Sequence, residues 1–429
     1  MRSVSDHLAA VLAAARPAEP LDVVLADADG CILAEDVVAP GDVPSWPVAG
    51  CDGYAVRTAD LGQRASAAAD VVLPVVHDAP VSSGAPLWLV DRTAILVASG
   101  APLPRGADAV VPLEASDRGR ANVVLRGTVE PGQHVRRTGQ DAGTGQVVLQ
   151  RGTRLGARHL AVAAALGWGR LRVHPAPRVV IVTIGDELVE PGRFRRDGQV
   201  FDADGPALAA AVKDTGASAL RVGPVGDDRA MLREVLADQL VRADLLILTG
   251  GLSTGPWDTV TDVLAPLGTV RFDQVAMTPG QRQGFGTVAP VDERDDRARG
   301  AGSAGTSVLG GVGEGVPVFA LPGHPVAALV SFEAFVRPAL RAMAGWTDLF
   351  RPSLRAAATV PWASPAGRRQ FVPARVVGSP TEGYVVTPVG DPARLSLTTL
   401  AGANALAVVG EDTTVVRAGD ALACLVLEG

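Results

Sequence analysis

Short, uninterrupted apolar runs recur in the second half of the chain. Val179-Val180-Ile181-Val182, Leu245-Leu246-Ile247-Leu248 and Val318-Phe319-Ala320-Leu321 each lead into a turn of small residues. Runs of this length without polar alternation suit strands covered on both faces of a parallel sheet. The pattern predicts strands at residues 178–183, 219–224, 244–249 and 316–321, and helices near 206–214, 228–240, 258–265 and 325–343. Strand and helix in alternation predict a doubly wound α/β sheet.

The texture elsewhere is different. From Leu21 to about Val173, short alternating strands are separated by turns such as Pro40-Gly41-Asp42 and Glu130-Pro131-Gly132-Gln133. This reads as β-rich and antiparallel, with one helix near 157–166. Residues 5–16 read as an amphipathic helix with Ser5 as candidate N-cap. After Trp346 the β pattern returns, punctuated by Pro352, Pro361 and Pro373. Residues 286–315 carry Asp, Arg, Gly and Ser without periodicity, the composition of a mobile insertion.

Composition narrows the function classes. At 429 residues the chain exceeds a single core. A net charge of −7 and no basic cluster interleaved with aromatics argue against nucleic-acid binding. No run of about 18 apolar residues predicts a membrane span. Cys31, Cys51 and Cys424 are odd in number and widely spaced, so neither a disulfide framework nor a structural zinc is expected. A cytoplasmic location is the simplest expectation. Lys213 is the sole lysine, so a motif that needs a lysine must use arginine instead.

The candidate chemistry sits in the loops after the apolar runs. Ligands collect at the carboxyl ends of strands in open parallel sheets, and free N–H groups at helix starts favour anions. In Gly185-Asp186-Glu187-Leu188, two adjacent carboxylates occupy a turn. Such acids can share a divalent cation or hydrogen-bond a planar heterocycle, or simply cap a helix and face solvent. Gly250-Gly251-Leu252-Ser253-Thr254-Gly255 can wrap a phosphate or form a plain tight turn; it lacks the Gly-Lys-[Ser/Thr] of a Walker A loop. Asp258 sits near the next helix start. Pro322-Gly323-His324-Pro325 opens a helix with Pro at its first position, and His324 is either a donor or structural.

Six ordered segments together resemble the molybdopterin molybdenumtransferase family, the MoeA and gephyrin E-domain group. They are Cys51-Asp52-Gly53-Tyr54-Ala55, Ser99-Gly100-Ala101-Pro102 with Gly106-Ala107-Asp108-Ala109-Val110-Val111, Gly139-Gln140-Asp141, Gly185-Asp186-Glu187-Leu188, Gly250 to Gly255 with Asp258, and Leu321-Pro322-Gly323-His324-Pro325. The resemblance implies a MogA-like α/β domain at 176–349 and a C-terminal β-barrel-like domain at 350–429. It also implies an elongated N-terminal domain from 1–45 and 141–175, with a β-rich domain at 46–140 inserted.

The reaction implied is insertion of molybdate into adenylylated molybdopterin with release of AMP, assisted by Mg²⁺. Asp52, Asp141, Glu187 and Asp258 would be catalytic, with Glu187 and Asp258 also on the metal. Ser99, Gly185, Asp186, Gly250, Gly251, Ser253, Thr254, Gly255, Pro279, Gly280, Gln281, Arg282, Pro322, Gly323 and His324 would bind the molybdopterin. A homodimer with its site between subunits, Asp52 coming from the partner, and contact with the adenylylating enzyme of the same pathway are implied too. The family's Lys-Pro-Gly-Lys-Pro is here Thr278-Pro279-Gly280-Gln281-Arg282. Arg282, His324, Arg368 or Arg369 would have to restore the lost charge. The alternative is a paralogue that keeps the pocket as a molybdopterin-binding or scaffold protein.

Overall fold

The computed structural model describes residues 1–62, 70–253, 255, 258–290, 309–310, 315–394 and 396–427. They fall into two compact units. Residues 1–21, 30–34 and 172–429 make one; residues 22–29 and 35–171 make the other.

The larger unit is built on the apolar runs. Strands Ser218–Val225, Arg178–Ile184, Leu245–Gly250 and Val316–Leu321 lie side by side in that order, all parallel. The reason the runs show no polar alternation is visible in the packing. Val179 and Ile181 point into one core with Leu208, Val212, Phe332 and Phe335, while Val180 and Val182 point into another with Leu232, Leu236 and Val260. Each successive side chain is therefore buried, on one face or the other. Helices Asp204–Asp214 and Pro325–Ser331 cover the first face, and Arg229–Leu240 and Thr259–Leu264 the second.

The structure extends some of these expectations and corrects others. The sheet does not stop at the parallel strands: Arg282–Pro290 and then Val270–Gln274 extend it antiparallel. The supposed loop at 286–315 begins inside that strand, and Leu309–Gly310 pairs with Ala289 and Pro290; residues 291–308 and 311–314 lie outside the described residues. The first helix runs Val4–Ala14 and is capped by Ser3, whose hydroxyl accepts from Asp6 N at 3.0 Å, rather than by Ser5. The helix expected over 325–343 is present over those residues, with a π-helical turn at Phe332–Val336.

After the sheet, strands Ser353–Ala358, Gly383–Pro388, Arg369–Ser379, Ala405–Val409 and Ala421–Val426 pair in a ring. The last returns to the first, which closes a five-stranded barrel and leaves no free edge. Short strand Met277–Thr278 pairs with Arg369 and Gln370, tying the 278–281 loop to the barrel.

In the smaller unit, strands Ala109–Pro112, Gly53–Val56, Ala94–Val97, Val71–Ala79 and Asn122–Leu125 form a sheet in that order. It is antiparallel except where Val71–Ala79 runs parallel to Ala94–Val97. That pairing corrects the all-antiparallel expectation. Among the described residues no helix is long and apolar enough to cross a membrane.

Candidate functional site

Four strand-end loops of the larger unit meet. Gly250 has φ +84°, and a Cβ there would lie 2.0 Å from Ile184 O. Only glycine permits that approach. Gly323 in turn closes on Gly250, its Cβ position 3.1 Å from the Gly250 Cα. The loop after Ser218–Val225 joins through Asp227. Asp186 N donates to Asp227 Oδ2 at 3.3 Å and Asp227 N donates to Asp186 Oδ1 at 3.1 Å. The Thr259 hydroxyl donates to Asp227 Oδ1 at 3.3 Å, bringing in the start of the Thr259–Leu264 helix.

The sequence-selected residues in these loops have different tasks. Asp258 is the N-cap of that helix, its Oδ1 accepting from Thr261 N at 3.0 Å. Its Oδ2 receives Arg282 Nη2 at 2.5 Å, and Arg282 also donates to Thr261 Oγ1 at 3.1 Å. Arg282 is thus turned onto an acid. Ser253 Oγ accepts from Gly255 N at 2.8 Å; Thr254 lies outside the described residues. His324 caps the Pro325–Ser331 helix, with Nδ1 accepting from Val326 N at 3.3 Å. Gly280, at φ +89°, packs beside Ser331. Gln281 Nε2 points to Met1 Sδ at 3.3 Å. Arg369 pairs with Glu411 at 3.1 Å. Among the described residues no ion pair or hydrogen bond engages the carboxylate of Glu187 or the guanidinium of Arg368.

Two cavities flank these loops. One, of about 240 Å³, is lined by Thr183, Glu187, Asp202, Asp204, Thr249, Gly250 and Gly323, with Leu188, Phe201, Pro325 and Leu397 as apolar walls. The other, of about 510 Å³, is lined by Thr278 and Pro279 on the sheet side and by Ser364, Gln370, Arg394, Ser396 and Thr399 on the barrel side. Pro325 lines the first and Val326 the second, and the same is true of Leu397 and its neighbour Ser396. The two cavities therefore lie on either side of one pair of helix starts.

Sequence reasoning missed Asp202, Asp204 and Asp227. Asp202 is buried and holds Thr183 Oγ1 at 3.1 Å, Gly205 N at 2.9 Å and Arg221 Nη2 at 3.3 Å. Asp204 receives Thr249 Oγ1 at 2.6 Å, and its other oxygen is buried without a partner. Burial raises the Asp204 pKa to about 7; the Thr249 bond opposes the rise and neighbouring Asp202 adds to it. The available signal was strand, glycine, acid: Gly226-Asp227 repeats the Gly185-Asp186 arrangement.

Hard oxygen donors of the kind Mg²⁺ takes are present, but no cage is ready-made. Asp186 and Asp227 hold each other's backbone, and Asp258 is occupied by Arg282. No group of three or more His, Cys, Asp or Glu among the described residues is placed to hold a metal.

Asp52, Ser99 and Asp141 belong to the smaller unit. Asp52 Oδ1 accepts from Ser99 N at 2.7 Å, joining two of the selected motifs. Gly53 beside it is obligatory, because a Cβ would lie 2.2 Å from Val111 O. Asp141 is paired with Arg136.

Comparison with known proteins agrees with this architecture. Residues 2–167 match the MoeA N-terminal region (domain I and II), 180–342 a probable molybdopterin binding domain, and 355–427 the MoeA C-terminal region (domain IV). Molybdopterin molybdenumtransferase 2 of Mycobacterium tuberculosis is 39% identical over 428 residues, covering 98% of each chain. Molybdopterin molybdenumtransferase 1 of the same organism is 36% identical over 439 residues, covering 98% of this chain and 97% of the relative. A solved structure of the molybdopterin biosynthesis MoeA protein from Pyrococcus horikoshii matches with a TM-score of 0.79 and 26% identity, over 100% of this chain and 99% of that one. The chain belongs to the molybdopterin molybdenumtransferase (MoeA) family.

Proposed function

We propose that this protein inserts molybdate into adenylylated molybdopterin and releases AMP, forming molybdenum cofactor. The observation that carries the reading is the pair of cavities on either side of the Pro325 and Leu397 helix starts, with the Glu187 carboxylate in one. The larger cavity is where the oxyanion fits. Its Thr278, Ser364, Ser396 and Thr399 hydroxyls can donate, and Arg394 is the one cation lining it among the described residues. Arg394, exposed and paired at 3.5 Å with Asp391, which also lines the cavity, would supply the charge of the absent lysines on turning to the oxyanion; Arg282 is held more closely, on Asp258. Arginine suits a tetrahedral oxyanion because it donates two parallel hydrogen bonds.

Backbone N–H groups of the 250–255 loop are suited to the phosphates. Mg²⁺ arriving with those phosphates would be held by Glu187, joined by Asp258 when Arg282 lets go, and would offset charge as AMP leaves. Glu187 would orient a water against the molybdopterin phosphorus of the phosphoanhydride and take up its proton as the bond to AMP breaks and AMP leaves. Asp52 and Asp141 would complete the site from a second subunit of a homodimer. Glu187→Gln should lower AMP release by about a hundredfold or more, the range of a lost general base, while adenylylated molybdopterin still binds. Full turnover in that variant would remove Glu187 from the chemistry. A scaffold role without turnover is favoured by one observation: Thr278 and Gln281 stand where the family has lysines. Under that role substrate binds and AMP is never released.

A further inference from the structure

Thr249 Oγ1 stands between two oxygens that compete for its hydrogen. It lies 2.6 Å from Asp204 Oδ2 and 3.1 Å from Pro322 O. A hydroxyl has one proton, and a backbone carbonyl can only accept. Both contacts are hydrogen bonds only while Asp204 carries a proton. Asp204 then donates to Thr249, and Thr249 donates to Pro322. Once Asp204 is ionised, the Thr249 hydrogen must choose one acceptor. The carboxylate takes it, being nearer and charged. Pro322 O is left without this donor.

The surroundings give that competition weight. Thr249 is 1% exposed and Asp204 6%, so water does not readily replace either partner. Asp204 Oδ1 is buried with no partner. Among the described residues no ion pair reaches Asp204. Neighbouring Asp202 is held by Thr183, Gly205 and Arg221, and Glu190 pairs with the same Arg221 at 2.8 Å. Glu187 lines the cavity that Asp204 borders, and His324 caps the facing helix through Nδ1. Burial is the leading cause that raises the Asp204 pKa to about 7, with Asp202 adding to it. Pro322 has no N–H, so its carbonyl is the one backbone group by which it can be held. Gly323 beside it rests against Gly250.

We propose that Asp204 is a positioning residue: its protonated carboxyl, acting through the Thr249 hydroxyl, pins the 322–324 loop onto the Gly250 loop, and ionisation frees it. On ionisation the proton leaves to water through the cavity, and the Thr249 O–H swings from Pro322 O to Asp204 Oδ2. Both loops belong to the candidate site, so substrate is gripped less well at alkaline pH. That last consequence rests on the molybdopterin reading above; the pinning does not.

Hydrogen exchange of the full-length protein, read by mass spectrometry at pH 6 and pH 8.5 without substrate, tests the pinning. Protection of residues 320–330 is corrected for intrinsic exchange and normalised to the Arg229–Leu240 helix. It should fall about fivefold at the higher pH, the cost of one hydrogen bond. Asp204→Asn cannot ionise and can donate to Thr249 through its amide, so the step should vanish. Thr249→Ser keeps the hydroxyl and should keep the step. Thr249→Val has no hydroxyl and should show low protection at both pH values. A wild-type step under about twofold overturns the proposal without requiring any variant to fold. So does an equal step in Asp204→Asn, which would assign it to another titrating group such as His324, or a step retained by Thr249→Val. With adenylylated molybdopterin, the apparent KM should rise between the two pH values in wild type and stay flat in Asp204→Asn. A flat wild-type KM overturns the link to substrate. The exchange experiment contains no molybdopterin, so its failure leaves molybdate insertion standing, and failure of insertion leaves the pinning standing.

Discussion

Asp204→Asn should stabilise the protein at alkaline pH and matter less in acid. Asp204 is 6% exposed and its pKa is raised from 3.8 to about 7, first by burial. A carboxyl whose folded pKa is raised holds its proton in the folded state while the unfolded chain has lost it. Stability then falls as pH climbs from about 4 to 7. A shift of roughly three units corresponds to at most about 4 kcal/mol, of which about 2.5 kcal/mol is lost between pH 5 and 8. Asparagine cannot ionise and can keep the Thr249 contact. Urea unfolding followed by far-ultraviolet circular dichroism at pH 5 and pH 8 measures this directly. The gap between Asp204→Asn and wild type should widen by about 2.5 kcal/mol at the higher pH. His7 titrates equally in both proteins and cancels. A gap that is the same at both pH values would show that Asp204 is not a buried, proton-holding carboxyl.

His7 should govern the acid limb. It packs edge-on to Phe335, with ring centroids 4.7 Å apart, and its pKa is lowered to about 4 by burial, then by Arg2, against a raising effect of Asp273. Its contribution is complete above pH 6.5 and fades as pH falls toward 4, a loss of about 3 kcal/mol that His7→Leu should abolish; unchanged acid sensitivity in that variant contradicts it. Arg282→Ala should release Asp258 and tighten Mn²⁺ binding by about tenfold in calorimetry, since one charged hydrogen bond is removed; an unaltered dissociation constant means the pair does not compete with the cation. Arg394→Ala should weaken molybdate binding by about tenfold while Arg282→Ala leaves it alone, and the reverse order would return the oxyanion to Arg282.

The parallel strands were legible because both faces of the sheet are covered. Val179 to Val182 alternate between two cores, so each had to be apolar. The antiparallel strands were not. Val270-Arg271-Phe272-Asp273-Gln274 ends the sheet with only Val270 fully buried, and Arg282–Pro290 contains two glycines that pack closely on neighbouring strands. Edge position and close backbone approach both erase the apolar signature. Ser3 and Ser5 are equivalent as caps on paper; the helix starts at Val4, which gives the task to Ser3.

The strand-end loops were legible as motifs, yet their internal wiring was not. Asp204 reads as an ordinary polar helix start, and its character comes from Thr249, 45 residues away. Arg282 reads as a free cation beside a glycine loop. Its partner Asp258 lies 24 residues earlier and is reached only because the Arg282–Pro290 strand runs back into the same sheet.

The central claim is most directly tested by supplying the purified protein with adenylylated molybdopterin and Mg²⁺ and following AMP release with and without molybdate. The account predicts molybdate-dependent release of AMP, equimolar with molybdenum cofactor formed. Tight binding of adenylylated molybdopterin with no AMP released at any molybdate concentration would contradict it and leave a binding protein in its place.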